Sequence, residues 1–304
     1  MKDIRYLSPT SIKTYEESEE EFYKKYLSDK PYDRDPQTRA MSVGSAFDAF
    51  VKSYLYGELG DGSLGNEFDR TRIFEAQVES HNREWAWAAG EKCFEAYRRL
   101  GGLGDLMLMA GGGTGLRMEF DMTGSVEGRD RNIGVTLRGK PDMYFRVGGV
   151  GVLLDWKVNG FCSKKAPSPR KGYVSYRTDS GTKEYRGGAF SVGEEGIKRN
   201  IAQNLEDTDK DWARQLAIYG WLLGETVGSS FVTCIDQLVC CGEEVIGIAQ
   251  HRTTVGEAFQ LGLYARVREI WDRCKSGVFF SIERDKLLDG MVTMLPGLES
   301  LRER

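Results

Sequence analysis

The stretch from Gly139 to Lys157 constrains the fold more than any other. Gly139-Lys140-Pro141-Asp142 leads into Met143-Tyr144-Phe145-Arg146, a β-type run. The turn Val147-Gly148-Gly149-Val150-Gly151 follows, and then Val152-Leu153-Leu154 runs into Asp155-Trp156-Lys157. Two apolar runs joined by a glycine-rich turn predict a hairpin. Side chains alternate along a strand, so Asp155 and Lys157 share a face. A charged pair at the end of an apolar run is costly to bury unless something pairs with it. A divalent cation is one such partner. Two carboxylates, Asp142 and Asp155, beside the Lys157 ammonium make a hard oxygen site next to a fixed positive charge. That set suits hydrolysis of a phosphodiester, with a metal to activate water and the lysine to offset developing charge. A D-x-K triplet also arises by chance, and by itself it reads first as a solvated ion pair at a strand end, so the rest of the chain must decide.

The chain has 304 residues, 40% of them hydrophobic and 29% charged, enough for one large core. Its formal net charge is -4, so contact with nucleic acid falls to a local basic surface. Six cysteines without C-x-x-C spacing predict reduced, mostly buried thiols. With only His81 and His251, centres built from several imidazoles are excluded, and carboxylates and lysine must carry any hydrolysis. No apolar run reaches the length of a membrane span, and the first residues lack the apolar stretch of a signal peptide. The expectation is a cytoplasmic protein with no membrane contact.

Ser8-Pro9 reads as the N-cap and first position of a helix carrying Ile12, Tyr15, Phe22, Tyr23 and Tyr26. A second helix spans about Met41 to Tyr56, with Val43, Phe47, Phe50 and Tyr54 as its apolar stripe. Asp48 falls at the edge of that stripe, where a carboxylate reaches either a site or water. Residues 67 to 100 read as helical, and the glycine-rich run Gly101 to Gly115 as a loop around Leu106-Met107-Leu108-Met109. That run lacks the Lys-Ser/Thr ending of a phosphate-binding loop. Arg117 to Met122 and Ile133 to Arg138 read as strands, so three neighbouring strand segments carry Glu119, Asp142 and Asp155.

Residues 158 to 200 hold nine lysines and arginines against four acids, with tyrosines and a phenylalanine interleaved. This is either a mobile arm gripping phosphates, with Lys164, Lys165, Arg170 and Lys171 at its start, or a solvated loop. Asp211 to Leu223 returns to helix and sets Gln215 beside Tyr219, four residues apart. Phe231 to Cys240 and Val245 to Thr253 predict a strand pair. Thr254-Val255-Gly256-Glu257 then resembles a capping box before a last long helix.

In this order the segments resemble the PD-(D/E)xK nuclease superfamily, in its RecB-like and phage-exonuclease branch. Leu7 to Ile12 with Tyr15 resembles the opening helix, and Val43 to Asp48 resembles the G-x-x-x-H helix. Glu119 fits the upstream acid, Gly139 to Asp142 with Asp155 to Lys157 the core, and Gln215 to Tyr219 the Q-x-x-x-Y helix. The resemblance implies an α/β fold, a central mixed β-sheet flanked by helices with a restriction-endonuclease-like core. It implies one nuclease domain over residues 1–304, with a helical insertion at about 57–116 and a basic loop insertion at about 158–200. Asp142, Asp155 and the backbone carbonyl of Trp156 would bind Mg²⁺, or Mn²⁺ in its place, with Glu119 contributing. Lys157 would be the catalytic lysine, and Gln215 and Tyr219 would line the site and touch the scissile strand.

Asp48 stands where the branch often carries a metal-binding histidine; its carboxylate suits Mg²⁺ but reaches less far. Ser18 stands near the first cysteine of iron–sulfur relatives, and no cysteine trio closes the chain, so no iron–sulfur cluster is expected. The implied activity is a metal-dependent DNA exonuclease of phage recombination type, working in a bacterial cell or a phage-infected host. A single-strand annealing protein is the implied partner, and a homo-oligomer is open to it because processive relatives form rings. A structure-selective endonuclease and a non-catalytic DNA-binding subunit remain as alternatives.

Overall fold

The fold is that of a computed structural model, which describes residues 2–30, 32–59, 69–118, 120–128, 134–165, 168–184, 191–193, 196–198 and 204–277. Helix α1 (Pro9–Glu17) opens on a reciprocal cap: Ser11 N donates to Ser8 Oγ at 3.1 Å and Ser8 N to Ser11 Oγ at 2.7 Å. The helix does not run on to Tyr26. Ser18, with φ -162, ends α1 and its hydroxyl caps α2 (Glu19–Phe22), which passes into a π-helical turn, Tyr23–Leu27. The break brings Phe22 and Leu27 into the same core as Ile12 and Tyr15.

Helix α3 (Arg39–Leu59) buries the expected stripe, Val43, Phe47 and Phe50. The long helix expected after it is split into α4 (Arg70–Gln77) and α5 (Arg83–Arg99) around a 3₁₀ turn, Ser80–Asn82. Gln37 forces the split by trading bonds with Glu79, N to Oε2 at 2.9 Å and Oε1 from N at 3.1 Å. The glycine-rich run is not a loop but α6 (Gly102–Gly111). Leu103, Leu106 and Ala110 fall on one face and enter the α3–α5 core. That burial outweighs the roughly 1 kcal/mol that a helical glycine costs.

The strand expected over Arg117 to Met122 is two strands in two sheets, β1 (Thr114–Met118) and β2 (Met122–Val126). Met118 and Met122 would share a face of one strand, yet each belongs to a different core cluster, so the chain turns between them. Among the described residues β2 pairs only with β3 (Val135–Gly139). The main sheet is mixed and seven-stranded, in the order β1, β4 (Met143–Val147), β5 (Val150–Phe161), β10 (Val232–Gly242), β11 (Glu244–Thr253), β6 (Ser175–Thr178) and β7 (Gly181–Glu184). β5 and β10 are parallel and the other neighbours antiparallel. Part of the expected arm is therefore sheet: β6 takes the open edge of β11, with Ser175 opposite Gln250. β8 (Ser191–Gly193) and β9 (Gly196–Lys198) form a ladder of their own.

Leu153 and Leu154 point to opposite faces of β5 and into different cores. One core holds α1, α2, α8 (Lys210–Leu222) and α9 (Glu257–Ser276); the other holds α3, α5 and α6. The chain is thus an α/β protein whose mixed sheet lies between helical layers. No capping box opens α9. Thr254 instead accepts Leu205 N on its carbonyl, and both carboxylate oxygens of Glu206, in α7 (Leu205–Thr208), take Gly256 N at 3.1 Å. Among the described residues no helix is long and apolar enough to cross a membrane, and the six cysteines are free thiols.

Candidate active site

β4 stops pairing with β5 at Met143, opposite Leu154. Beyond that point no strand of the described residues covers this edge of β5, which runs on to Phe161. Asp142, just before β4, turns its Oδ2 to the bare edge and accepts Trp156 N at 3.1 Å. The gap in the sheet is where the two helical layers approach each other. α3 borders it from one side and α8 from the other, around a polar cleft of about 310 Å³ lined by Asp48, Asp142, Asp155, Trp156, Lys157 and Gln215.

Asp155 is only 2% exposed and forms an ion pair with Lys157 two residues on. Gln215 ties the two together. Its amide donates to Asp155 Oδ1 at 3.0 Å and to Tyr219 Oη at 3.1 Å, while its carbonyl accepts Lys157 Nζ at 2.9 Å. Tyr219 lies over Gly139, where a Cβ would fall 2.6 Å from its ring, so the glycine of the Gly-Lys-Pro-Asp run is a cradle for that tyrosine. Five residues picked from the sequence, Asp142, Asp155, Lys157, Gln215 and Tyr219, are thus one hydrogen-bonded group. Glu119 lies outside the described residues.

Sequence reasoning missed Lys52. It stands one turn after Asp48 on α3, with its side chain 1% exposed, 2.5 Å from Asp48 Oδ2 and 3.5 Å from Asp142 Oδ1. An acid and a lysine four residues apart read as a surface pair. The available signal was the apolar company of Lys52: Phe50, Val51 and Leu55 are all buried core.

The charges in the cleft pull against each other. Burial and the adjacent Asp142 carboxylate push Asp155 up to about 7. Burial also pushes Asp142 upward, but the ammonium groups of Lys52 and Lys157 outweigh it and hold Asp142 below the usual carboxylate range. For Lys157 burial favours the neutral amine, and Asp155 and Asp142 overrule it, so the ammonium persists. Tyr219 is raised, first by burial and then by Asp155, and stays a protonated donor. Asp142 and Asp155 lie within hydrogen-bonding reach of each other, a like-charged pair that a cation would relieve. The residues present therefore fit one hard divalent cation, with both carboxylates and the Trp156 carbonyl as its donor set. Among the described residues no cluster of three His, Cys, Asp or Glu side chains is assembled for a metal.

No family model matches the chain, and no curated protein is similar to it. Among solved structures, one described as "Crystal structure of SSO0001" matches at 10% identity, covering 86% of this chain and 82% of that one with a TM-score of 0.27. A superposition that loose carries no weight for fold or activity.

The basic residues expected to grip DNA are exposed: Lys164, Lys165, Arg170 and Lys171. Their loop is pinned at both ends. Ser163 and Gly242, at the end of β10, are joined through their backbones, and Arg170 N donates to Gln237 Oε1 at 3.0 Å. Gln237 stands directly opposite Lys157 in the β5–β10 register. Arg170 also pairs with Asp209 at 3.3 Å, and Asp209, the N-cap of α8, adds to the field that keeps Lys157 charged. Arg170 is therefore tied to the cleft, one residue pair away from Lys157.

Proposed function

We propose that this chain is a metal-dependent deoxyribonuclease that digests DNA from an end. The observation that carries the reading is the crowding of Asp142 against Asp155 in a polar cleft, with Lys157 and Gln215 fixed on the same carboxylate. A pair of like charges with one member, Asp155, fully buried is expensive to maintain for structure alone and is expected where a cation works. Asp142, Asp155 and the Trp156 carbonyl would hold Mg²⁺ or Mn²⁺. When bound, such a cation supplies an activated water and neutralises phosphate charge. Lys157 is oriented before substrate arrives, because Asp155 and Gln215 already hold it, and it donates to the phosphate oxygen on which charge builds. Gln215 can use its amide only one way round, since one end serves Lys157 and the other serves Asp155 and Tyr219. Tyr219 donates to the same strand of substrate. The exonucleolytic mode, a place in phage-type recombination inside a bacterial or phage-infected cytoplasm, and an annealing protein as partner all rest on the resemblance of the sequence segments.

The deciding assay is Mg²⁺-dependent degradation of linear duplex DNA labelled at either end, beside a closed circle and the Lys157→Ala variant. Loss of the linear substrate alone, absent in the variant, is the expected result. Cutting of the circle moves the assignment to an endonuclease. Binding without cutting favours a DNA-binding subunit, a reading to which the Lys52 charge beside Asp142 lends some support. Neutralising Lys164, Lys165 and Lys171 should flatten the dependence of log K on log salt by about 0.9 for each phosphate the protein no longer neutralises. An unchanged slope removes this loop from the DNA interface.

A further inference from the structure

Gln37 is a buried glutamine whose amide fits only one way round. Its Oε1 accepts Glu79 N at 3.1 Å, and its Nε2 donates to the Gln77 carbonyl at 3.1 Å. A backbone N–H can only donate and a backbone carbonyl can only accept, so the two ends cannot be exchanged. The same Nε2 donates to Ser45 Oγ at 3.2 Å. Ser45 therefore spends a lone pair on Gln37, and its own hydroxyl hydrogen must turn elsewhere. Among the described residues that hydrogen has no acceptor, not even the Met41 carbonyl one turn back, where helical serines often send it.

Ser45 is half-buried and lines the cleft from α3, across from the wall where α8 brings in Gln215. The approach to it is open. A Cβ added at Gly44, beside it on the same wall, would meet nothing within 4 Å. A hydroxyl donor with its acceptor side open to a polar cleft fits an anionic oxygen, and serine is a common donor to the phosphates of nucleic acids. We propose that Ser45 donates to a phosphate of the bound DNA strand, and that Gln37 is the positioning residue that aims it. This rests on the deoxyribonuclease reading above and adds to it an uncharged grip on the substrate from the α3 wall.

The full chain with a short labelled duplex, and Ca²⁺ in place of Mg²⁺ so that nothing is cut, gives Kd; Mg²⁺ then gives kcat. Ser45→Ala should raise Kd about tenfold, the order of one lost hydrogen bond to a charged group. Its kcat should change by less than about threefold, since the bond is made in the ground state as well, and its thermal unfolding midpoint should hold. Serine displaces no counterion, so log Kd against log salt should shift without a change of slope. Ser45→Thr restores the donor and should return Kd to within about threefold of the native value. Gln37→Met should weaken binding in the native background and add nothing to Ser45→Ala, a coupling that a merely structural glutamine would not show. A native Kd in Ser45→Ala would overturn the proposal. So would a loss in Ser45→Thr as large as in Ser45→Ala, or a Gln37→Met effect of the same size with and without the hydroxyl. If Gln37→Met does not fold, the two Ser45 variants still decide. A native chain that neither binds nor cuts DNA would instead remove the deoxyribonuclease reading itself and this proposal with it, whereas a native-like Ser45→Ala in an active chain removes this proposal alone.

Discussion

Asp155 on β5 and Asp236 on β10 are both enclosed carboxylates on adjacent parallel strands, one step apart in register, so they face opposite sides of the sheet. Asp236 takes Tyr97 Oη on one oxygen and Arg252 Nη2 at 2.6 Å on the other. Its charge is balanced, each of its oxygens has a partner, and it lines no part of the cleft. Asp155 has comparable donors in Lys157 and Gln215, but a second carboxylate stands against it and one side opens on the cleft. Burial is common to both. What separates the carboxylate proposed to hold a metal from the structural one is the second carboxylate beside it and the open side.

The comparison breaks most visibly at Lys157. Lys157→Ala should lower cleavage by about 10³-fold, the order expected when a preorganised donor to developing charge is lost. Its unfolding midpoint should barely move, because Asp155 readily takes up a proton once its partner is gone. If the variant instead unfolds while its residual activity per folded molecule is normal, the cleft pair is structural too. Asp236→Ala is the mirror experiment. It strands Arg252 and should cost roughly 3–5 kcal/mol in urea unfolding, since one half of a buried ion pair is left behind. A loss under about 1 kcal/mol would mean the network is not what holds β10 to β11 and α5.

His251 sharpens the contrast through pH. It is enclosed between Trp212 and Tyr173, and burial together with the Arg252 charge pushes it down to about 3. The unfolded chain binds this proton near pH 6.5. Stability is therefore complete above that pH and falls as pH drops towards the folded value, by about 1.4 kcal/mol per unit. Urea unfolding at pH 7 and pH 5 should differ by roughly 2 kcal/mol from this group, and His251→Gln should remove that part of the difference. The smallest effect belongs to Trp156, whose backbone N–H serves Asp142 while its indole donates to Tyr97 Oη at 3.4 Å. Trp156→Phe keeps an aromatic ring and drops that long bond, at a cost below about 1 kcal/mol. A larger loss in thermal unfolding would show that the two regions are coupled through this residue.

Much of the site was legible because its chemistry is local. Asp142, Asp155 and Lys157 lie on one hairpin, and the i, i+4 pair Gln215 and Tyr219 approaches it from one helix face. Lys52 was not legible, because a sequence shows that Asp48 and Lys52 are neighbours but not that the ends of both are covered. Glycine composition misled at α6, where tertiary burial of Leu103 and Leu106 prevailed over propensity. Alternation misled at Arg117 to Met122, since polarity alone cannot say that two methionines belong to different cores. Part of the basic arm became β6 and β7 because the open edge of β11 offered hydrogen bonds that no local signal announces.

The parallel pairing of β5 with β10 sets an order of assembly. Val152 meets Val232, 80 residues further along the chain, whereas Met143 meets Leu154 across a tight hairpin. Local hairpins close in microseconds, and distant parallel pairs bear a loop-closure penalty before any contact rewards them. The two acids can therefore meet while the chain is young, and the glutamine that orients the lysine arrives only when the sheet closes over it. A chain cut short before α8 would hold the acidic half of the cleft and lack the half that aims it.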